Sequence, residues 1–337
     1  MAVSGARDRR RAWRPLQNAS AEGTRPVINR SIASGVYTIA VTPFHDDGRL
    51  DDESAVRMVE FYRGCGVTGL TILGVMGEAT KLDTTEAIGF SRRVIAASAG
   101  LPVIVGVSSP GFAAMRALVL SVMDAGAAGV MIAPPASVRT DDQIVTYFAQ
   151  AVDAIGADVP FVIQDYPQGT GVVMAVPAIR RIVEAHPSCF VLKHEDWPGL
   201  EKLTAVRRLM QEGAMRPIAI FTGNGGIFLD LEMERGADGA MTGYAFPDML
   251  VDVVRLQQAG QRDAAHDLFD AHLSLMRYEQ QPGLGLAVRK HVLKLRGAIR
   301  SDAQRKPGST LSTIAREEVS YLLRRLARHD ARAGGLG

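Results

Sequence analysis

Short apolar, β-branched runs recur along this chain, and polar or amphipathic stretches fill the gaps between them. The runs occupy 36–41, 70–73, 103–107, 130–133, 161–163, 190–192, 218–221 and 240–242. Most successive starts lie roughly thirty residues apart, the length of one strand–helix unit. The intervening stretches carry helical periodicity. In 53–63, Val56, Val59 and Phe61 fall near one face, and 113–123 behaves similarly.

A small repeat marks the junctions. Gly66-Val-Thr-Gly69, Gly126-Ala-Ala-Gly129 and Gly236-Ala-Asp-Gly239 each stand between a helical stretch and a strand run. The first glycine suits the left-handed position that closes a helix, and the second lets the chain turn sharply into the strand. Asp83 followed by Glu86 reads as a capping pair at the start of the next helix. Eight strand–helix units predict an α/β fold, a (β/α)8 TIM barrel. A doubly wound open sheet is the rival, and the even spacing favours closure. From about Asp248 to Asp330 the pattern is helical only, more than the eighth barrel helix needs. The organisation expected is an Arg-rich, disordered extension over 1–30, a barrel core over 31–247, and the last barrel helix plus C-terminal helices over 248–330. The tail, 331–337, reads as frayed.

Composition narrows the function classes. An apolar share of 47% suits one large core, and a net charge of +2 gives no global pull toward nucleic acid or an anionic membrane. No apolar run is long enough to span a bilayer as a helix. The first thirty residues carry seven arginines and two acids, without the apolar core of a secretory signal. Two cysteines, Cys65 and Cys189, make neither a disulfide framework nor a metal motif, and the histidines show no metal spacing. A cytoplasmic protein is the default reading. A nucleic-acid arm would rest on residues 7–14 alone.

In a TIM barrel the chemistry sits at the C-terminal ends of the strands. That rule selects Lys193, which ends the apolar run Cys189-Phe-Val-Leu192. The chain has only six lysines against thirty-two arginines, and the other five (Lys81, Lys202, Lys290, Lys294, Lys306) lie in polar or amphipathic sequence. An amine at a strand end, partly removed from water, is a good nucleophile toward carbonyl carbon. The alternative is a lysine reaching out to a surface carboxylate. Glu195, two residues on, shares a strand face with Lys193 and can hold it or move protons beside it. Gln164 and Tyr166 should share a face at the end of strand five, with Asp165 on the other. A tyrosine hydroxyl can shuttle protons, whereas a glutamine amide can only orient. The loop Gly74-Val75-Met76-Gly77-Glu78-Ala-Thr80 suits a carboxylate ligand, since its glycines let backbone N–H groups approach an oxygen. Glu78 reads as a structural carboxylate there. The small-residue loops 221–226 and 240–247 contain no basic residue, against a phosphorylated substrate.

In this order, these motifs resemble the dihydrodipicolinate synthase / N-acetylneuraminate lyase family of class I Schiff-base lyases, from about Gly35 to the C-terminal helices. The resemblance implies that Lys193 forms an imine with an α-keto acid. It makes Gly74, Val75, Met76, Gly77 and Glu78 the carboxylate loop, and turns the backbone near Met241 and Thr242 toward the substrate. It implies no cofactor and no metal, a small-molecule keto acid as partner, and a homo-oligomer, tetramer or dimer. The departures bear on substrate. Val75 and Met76 stand where two hydroxyl residues are usual. Gln164 takes the place of the catalytic tyrosine, with Tyr166 displaced by two, and Gly169 takes the place of a substrate-binding arginine. The strings QDYP, KHE and GAMTGYAFPD are closer to the branch that dehydrates 2-keto-3-deoxy sugar acids, in which Glu195 would have an acid/base role. Dehydration is therefore expected. Retro-aldol cleavage, a condensation like that of the synthases, and a keto-acid-binding protein without turnover are the alternatives.

Overall fold

The computed structural model describes residue 32, residues 34–197 and residues 199–337; the Arg-rich extension expected over 1–30 lies outside them. Eight parallel strands close into a barrel in sequential order. They are β1 (Gly35–Ile39), β2 (Gly69–Ile72), β3 (Val103–Gly106), β4 (Gly129–Ile132), β5 (Phe161–Asp165), β6 (Cys189–His194), β7 (Ala219–Thr222) and β8 (Gly239–Ala240). Pairing of Gly35 with Gly239 and of Val36 with Ala240 joins β1 to β8, which rules out the open sheet. The helices that return the chain are α1 (Asp52–Gly64), α2 (Thr84–Ala97), α3 (Phe112–Asp124), α4 (Asp141–Ile155), the single turn α5 (Pro167–Thr170), α6 (Val176–Ala185), α7 (Leu200–Gln211) and α8 (Leu229–Glu234). Then follow α9 (Pro247–Gln258), α10 (Arg262–Glu279), α11 (Gly285–Leu295) and α12 (Thr313–Leu326).

The local chemistry read from the sequence sets several of these boundaries. Asp83 accepts from the Glu86 backbone N–H while the Glu86 carboxylate accepts from that of Asp83, a complete capping box. Gly66, Gly126 and Gly236 all have positive φ and close the helices before β2, β4 and β8. The second glycine of the repeat answers to crowding. A Cβ at Gly69 would stand 2.4 Å from the Tyr37 ring.

Each strand alternates its side chains between two cores. Tyr37, Ile39, Ile104, Met131, Val162, Val191, Phe221 and Met241 form one cluster that fills the barrel. Leu70, Ile72, Val103, Val105, Phe161, Ile163 and Leu192 belong to a larger one, shared with the outer helices. By that alternation Gln164 follows Val162 inward, and Lys193 follows Val191, one pleat nearer the mouth.

Two expectations for the C-terminal part need correction. The helical pattern is not continuous from 248 to 330, because 296–312 is irregular between α11 and α12. Gly297, Pro307 and Gly308 break it there. Nor is the tail frayed. Arg332 pairs with Asp330 at 2.6 Å and also with Asp252, and Ala333 is buried. A third core, containing Val36, Ala240, Tyr244, Met249, Phe269, Val288, Val319 and Leu323, binds the C-terminal helices to the β8–β1 part of the wall. Among the described residues, no helix is long and apolar enough to cross a membrane.

Candidate active site at the barrel mouth

Strands β5 and β6 place the central group. Gln164 is the direct register partner of Lys193. Lys193 is buried, with only 4% of its surface exposed, and its Nζ lies 2.8 Å from Oε1 of Glu195. Gln164 donates its Nε2 to the same oxygen at 2.8 Å. Glu195 lies just past the strand, but its N–H still bonds the Asp165 carbonyl at 2.9 Å, which keeps it on the inward face above Lys193.

The loop after β7 supplies the other half of the Glu195 setting. The Asn224 backbone N–H donates to Oε2 at 3.2 Å, and its amide donates to the Glu195 carbonyl at 2.8 Å. Gly223 makes room, since a Cβ there would meet Glu195 Cγ at 2.2 Å. The carboxylate is thus held by an ammonium, a side-chain amide and a backbone amide, a fixed acceptor beside a nucleophilic amine. Sequence reading selected the 223–226 loop only as small and polar; nothing in the spacing singled out Asn224.

Tyr166 does not continue the strand. It stands at the head of α5 with its ring against Gly169, where a Cβ would come within 2.1 Å of it. Because Pro167 turns the chain at once, strand alternation does not by itself decide which way Tyr166 faces. Burial raises the Tyr166 phenol above its ordinary pKa, and the Glu195 carboxylate raises it further. Asp165 points outward as expected, with Lys202 Nζ 2.6 Å from its carboxylate and His194 Nδ1 3.5 Å away. Burial works against the His194 imidazolium, but Asp165 outweighs it and His194 is raised. Behind β7, burial lifts Glu232 to about 7.

The glycine-rich loop follows β2. Gly74 begins a single 3-10 turn over Val75–Gly77, so the leading N–H groups of that turn have no partner within it. Val75 is exposed, and Met76 packs on the barrel-filling cluster. Glu78 adopts a left-handed conformation, with φ 55°. Its carboxylate takes Lys81 Nζ at 2.8 Å, the Arg305 N–H at 3.1 Å and the Lys290 ammonium. All of its bonding is toward the loop and the C-terminal segment. Its site is architectural, and its side chain is not available to a ligand. Met241 belongs to the barrel-filling cluster and Thr242 is buried; the Met241 N–H bonds the Thr222 carbonyl at 2.8 Å, and the Thr242 carbonyl accepts from Ile39 at 2.9 Å.

Burial alone does not single out Lys193, contrary to the expectation that the other lysines lie in polar surroundings. Lys290 is fully buried, and burial pulls its ammonium down to about 8 against the attraction of Glu78. Beside it on α11, Arg289 is buried against Glu279 at 2.6 Å. Neither was visible in the sequence, because the polar run Arg-Lys-His at 289–291 reads as a solvated face. Among the described residues, no group of three or more His, Cys, Asp or Glu side chains is placed to hold a metal ion.

Comparison with known proteins accords with this architecture. The model of the dihydrodipicolinate synthetase family matches residues 32–326. The chain is 30% identical over 297 residues to L-2-keto-3-deoxyarabonate dehydratase of Azospirillum brasilense, covering 87% of this chain and 94% of that protein. It is 31% identical over 310 residues to 4-hydroxy-tetrahydrodipicolinate synthase of Sorangium cellulosum, covering 88% and 98%. Among solved structures, dihydrodipicolinate synthase from Rhodopseudomonas palustris superposes with a TM-score of 0.86 at 62% identity, covering 87% of this chain and 97% of that one. A family model that spans the whole barrel and the C-terminal helices leaves one assignment: the chain is a lyase of the dihydrodipicolinate synthetase family.

Proposed function

We infer that this lyase forms an imine between Lys193 and an α-keto acid, and that it dehydrates a 2-keto-3-deoxy sugar acid. The observation that carries the reading is the Lys193–Glu195–Gln164 group, an amine and a carboxylate 2.8 Å apart at the barrel mouth. The amine adds to the keto carbon and water leaves. The imine draws electrons from the neighbouring carbon, whose proton Glu195 removes. The resulting enamine expels the hydroxyl on the next carbon, which departs as water after taking a proton. Hydrolysis of the imine then frees Lys193. The carboxylate of the substrate lies on the backbone N–H groups of the Gly74–Gly77 loop, and Met241 and Thr242 border it. Gln164 orients Glu195 and exchanges no proton.

Two supports favour dehydration: similarity to the Azospirillum dehydratase, and glycine and glutamine at 169 and 164, where the resemblance puts an arginine and a tyrosine. Condensation is the second reading, favoured by similarity to proteins named as synthases, one of them 62% identical. The test is to incubate the protein with pyruvate or a 2-keto-3-deoxy acid and borohydride. A stable mass on the peptide containing Lys193, absent in Lys193→Arg, is expected, because a guanidinium stays protonated. Labelling elsewhere, or none with any keto acid, ends the imine reading. Turnover of pyruvate with aspartate semialdehyde on the order of 10 per second would replace dehydration by condensation.

A further inference from the structure

We propose that Lys290, on α11 and outside the barrel, is a positioning residue for the Gly74–Gly77 loop, holding it in the form that receives the substrate carboxylate. The second half of this statement rests on the function proposed above; the first half does not.

The geometry of the Lys290 ammonium is that of a hub. It donates to the Thr42 carbonyl just past β1 at 2.8 Å, to the Ala303 carbonyl at 2.8 Å, and to the Glu78 carboxylate. These three acceptors belong to three separate pieces of chain: the segment after β1, the loop after β2, and the irregular stretch between α11 and α12. An ammonium has three N–H donors, and all three are used. Around it the same pieces are tied again. The Thr42 hydroxyl donates to the Gly77 carbonyl at 2.5 Å. The Arg305 guanidinium reaches Gly48, Lys81 and Glu86, and the Lys290 and Arg305 cations both lie over the Phe44 ring, 4.7 and 4.8 Å from its centre.

What this arrangement holds is an unfavourable backbone. Glu78 is not a glycine, yet it sits in the left-handed region at the end of the loop's turn. Such a residue persists only where its surroundings over-determine it. Two lysines and a backbone N–H supply that constraint here. A loop that binds through backbone N–H groups has no side chain with which to correct its aim, and Val75 and Met76 bring no hydroxyl. Its aim must therefore be set from outside.

The experiment compares Lys290→Met, which keeps the aliphatic stem, with wild type and with Lys294→Met, an exposed lysine on the same helix. Amide hydrogen exchange should quicken in peptides spanning 74–82 in Lys290→Met, with β3–β6 unchanged, and stay at wild-type rates in Lys294→Met. In borohydride trapping, the pyruvate concentration giving half-maximal labelling should rise by roughly tenfold to a hundredfold, the scale of a small misplacement, while maximal labelling is kept. Unchanged exchange at 74–82, or uniform loosening of the whole barrel, overturns the positioning role. A normal half-maximal concentration despite loosened amides overturns the link to the carboxylate. If wild type traps no keto acid, the imine reading and that link fall together, and exchange alone decides the clamp. Should Lys290→Met not fold, Glu78→Gln, which keeps the shape but removes the charge, takes its place: the same quickened exchange and weakened trapping are expected, and their absence overturns the proposal in the same way.

Discussion

At the scale of single residues, the distinction that matters is between Glu195 and Tyr166. Glu195 touches Lys193 directly, whereas Tyr166 stands in the turn after β5, packed on Gly169. Burial and the nearby carboxylate raise the Tyr166 phenol and so hold it in its neutral form. We expect Glu195→Gln to lower turnover by about 10²–10⁴-fold, the usual contribution of a positioned acid or base, while still allowing the imine to be trapped. Tyr166→Phe should cost far less. Turnover and borohydride trapping measured on both variants check this, and a crippled Tyr166→Phe beside an active Glu195→Gln would reverse the assignment. The Lys193–Glu195 pair was legible because strand alternation puts residues two apart on one face. The Gln164–Lys193 pairing was not, since register across strands is invisible along one chain. Tyr166 lay beyond what alternation can place, because β5 ends at Asp165, one residue before it. Lys290 was missed because its acceptors are contributed by residues far away in the chain, and a polar helix face shows no sign of them.

At the scale of elements, the site is made by two loops meeting over two strands. The turn after β7 both donates to Glu195 and leaves it space, and Gly223 joins these roles. The space it leaves for the carboxylate comes from its lack of a side chain. Gly223→Ala would place a methyl group 2.2 Å from Glu195 Cγ. It should therefore displace the carboxylate and depress turnover by about 10²-fold, as expected for a misplacement near 1 Å, with little change in melting temperature. A loss of stability as large as the loss of activity would show that the glycine serves the fold instead. The elements themselves were the most readable level of the sequence. All eight apolar runs became strands within one or two residues of their expected ends, and the glycine repeat and capping box act where the spacing put them. What the runs did not show was how much further β6 extends. Its last two residues, Lys193 and His194, are polar and pair with β5 and β7 all the same.

At the scale of the whole molecule, the C-terminal helices form a second body of structure with buried charge of its own. Glu279 and Arg289 lie within it, with exposures of 1% and 2%. The guanidinium rests against Gly243, and its Nη1 has no hydrogen-bond partner among the described residues. Burial pushes the Glu279 carboxyl upward, against the attraction of Arg289. Removing one member of such a pair strands the other, which typically costs about 3–5 kcal/mol. Glu279→Leu should therefore destabilise by that order in denaturant unfolding. The double change Glu279→Leu with Arg289→Met should recover most of the loss, since an apolar pair of similar volume is tolerated. A double variant no more stable than the single one would show that the charges specify the packing.

The shortest strand gives these helices a further meaning. β8 contributes only two residues, with two register pairs to β7 and two to β1, and the flanking Asp238, Met241 and Thr242 add backbone hydrogen bonds just beyond them. A ring of strands is as strong as its weakest joint, and the two joints of β8 have the fewest register pairs in the barrel. Val36 and Ala240, a register pair across that joint, both belong to the core built by the C-terminal helices. The helices act as a splint laid along the seam. Breathing of the barrel should then begin not where the chemistry is but along β8, and its frequency should follow the docking of α9 to α12 instead of the strength of the sheet.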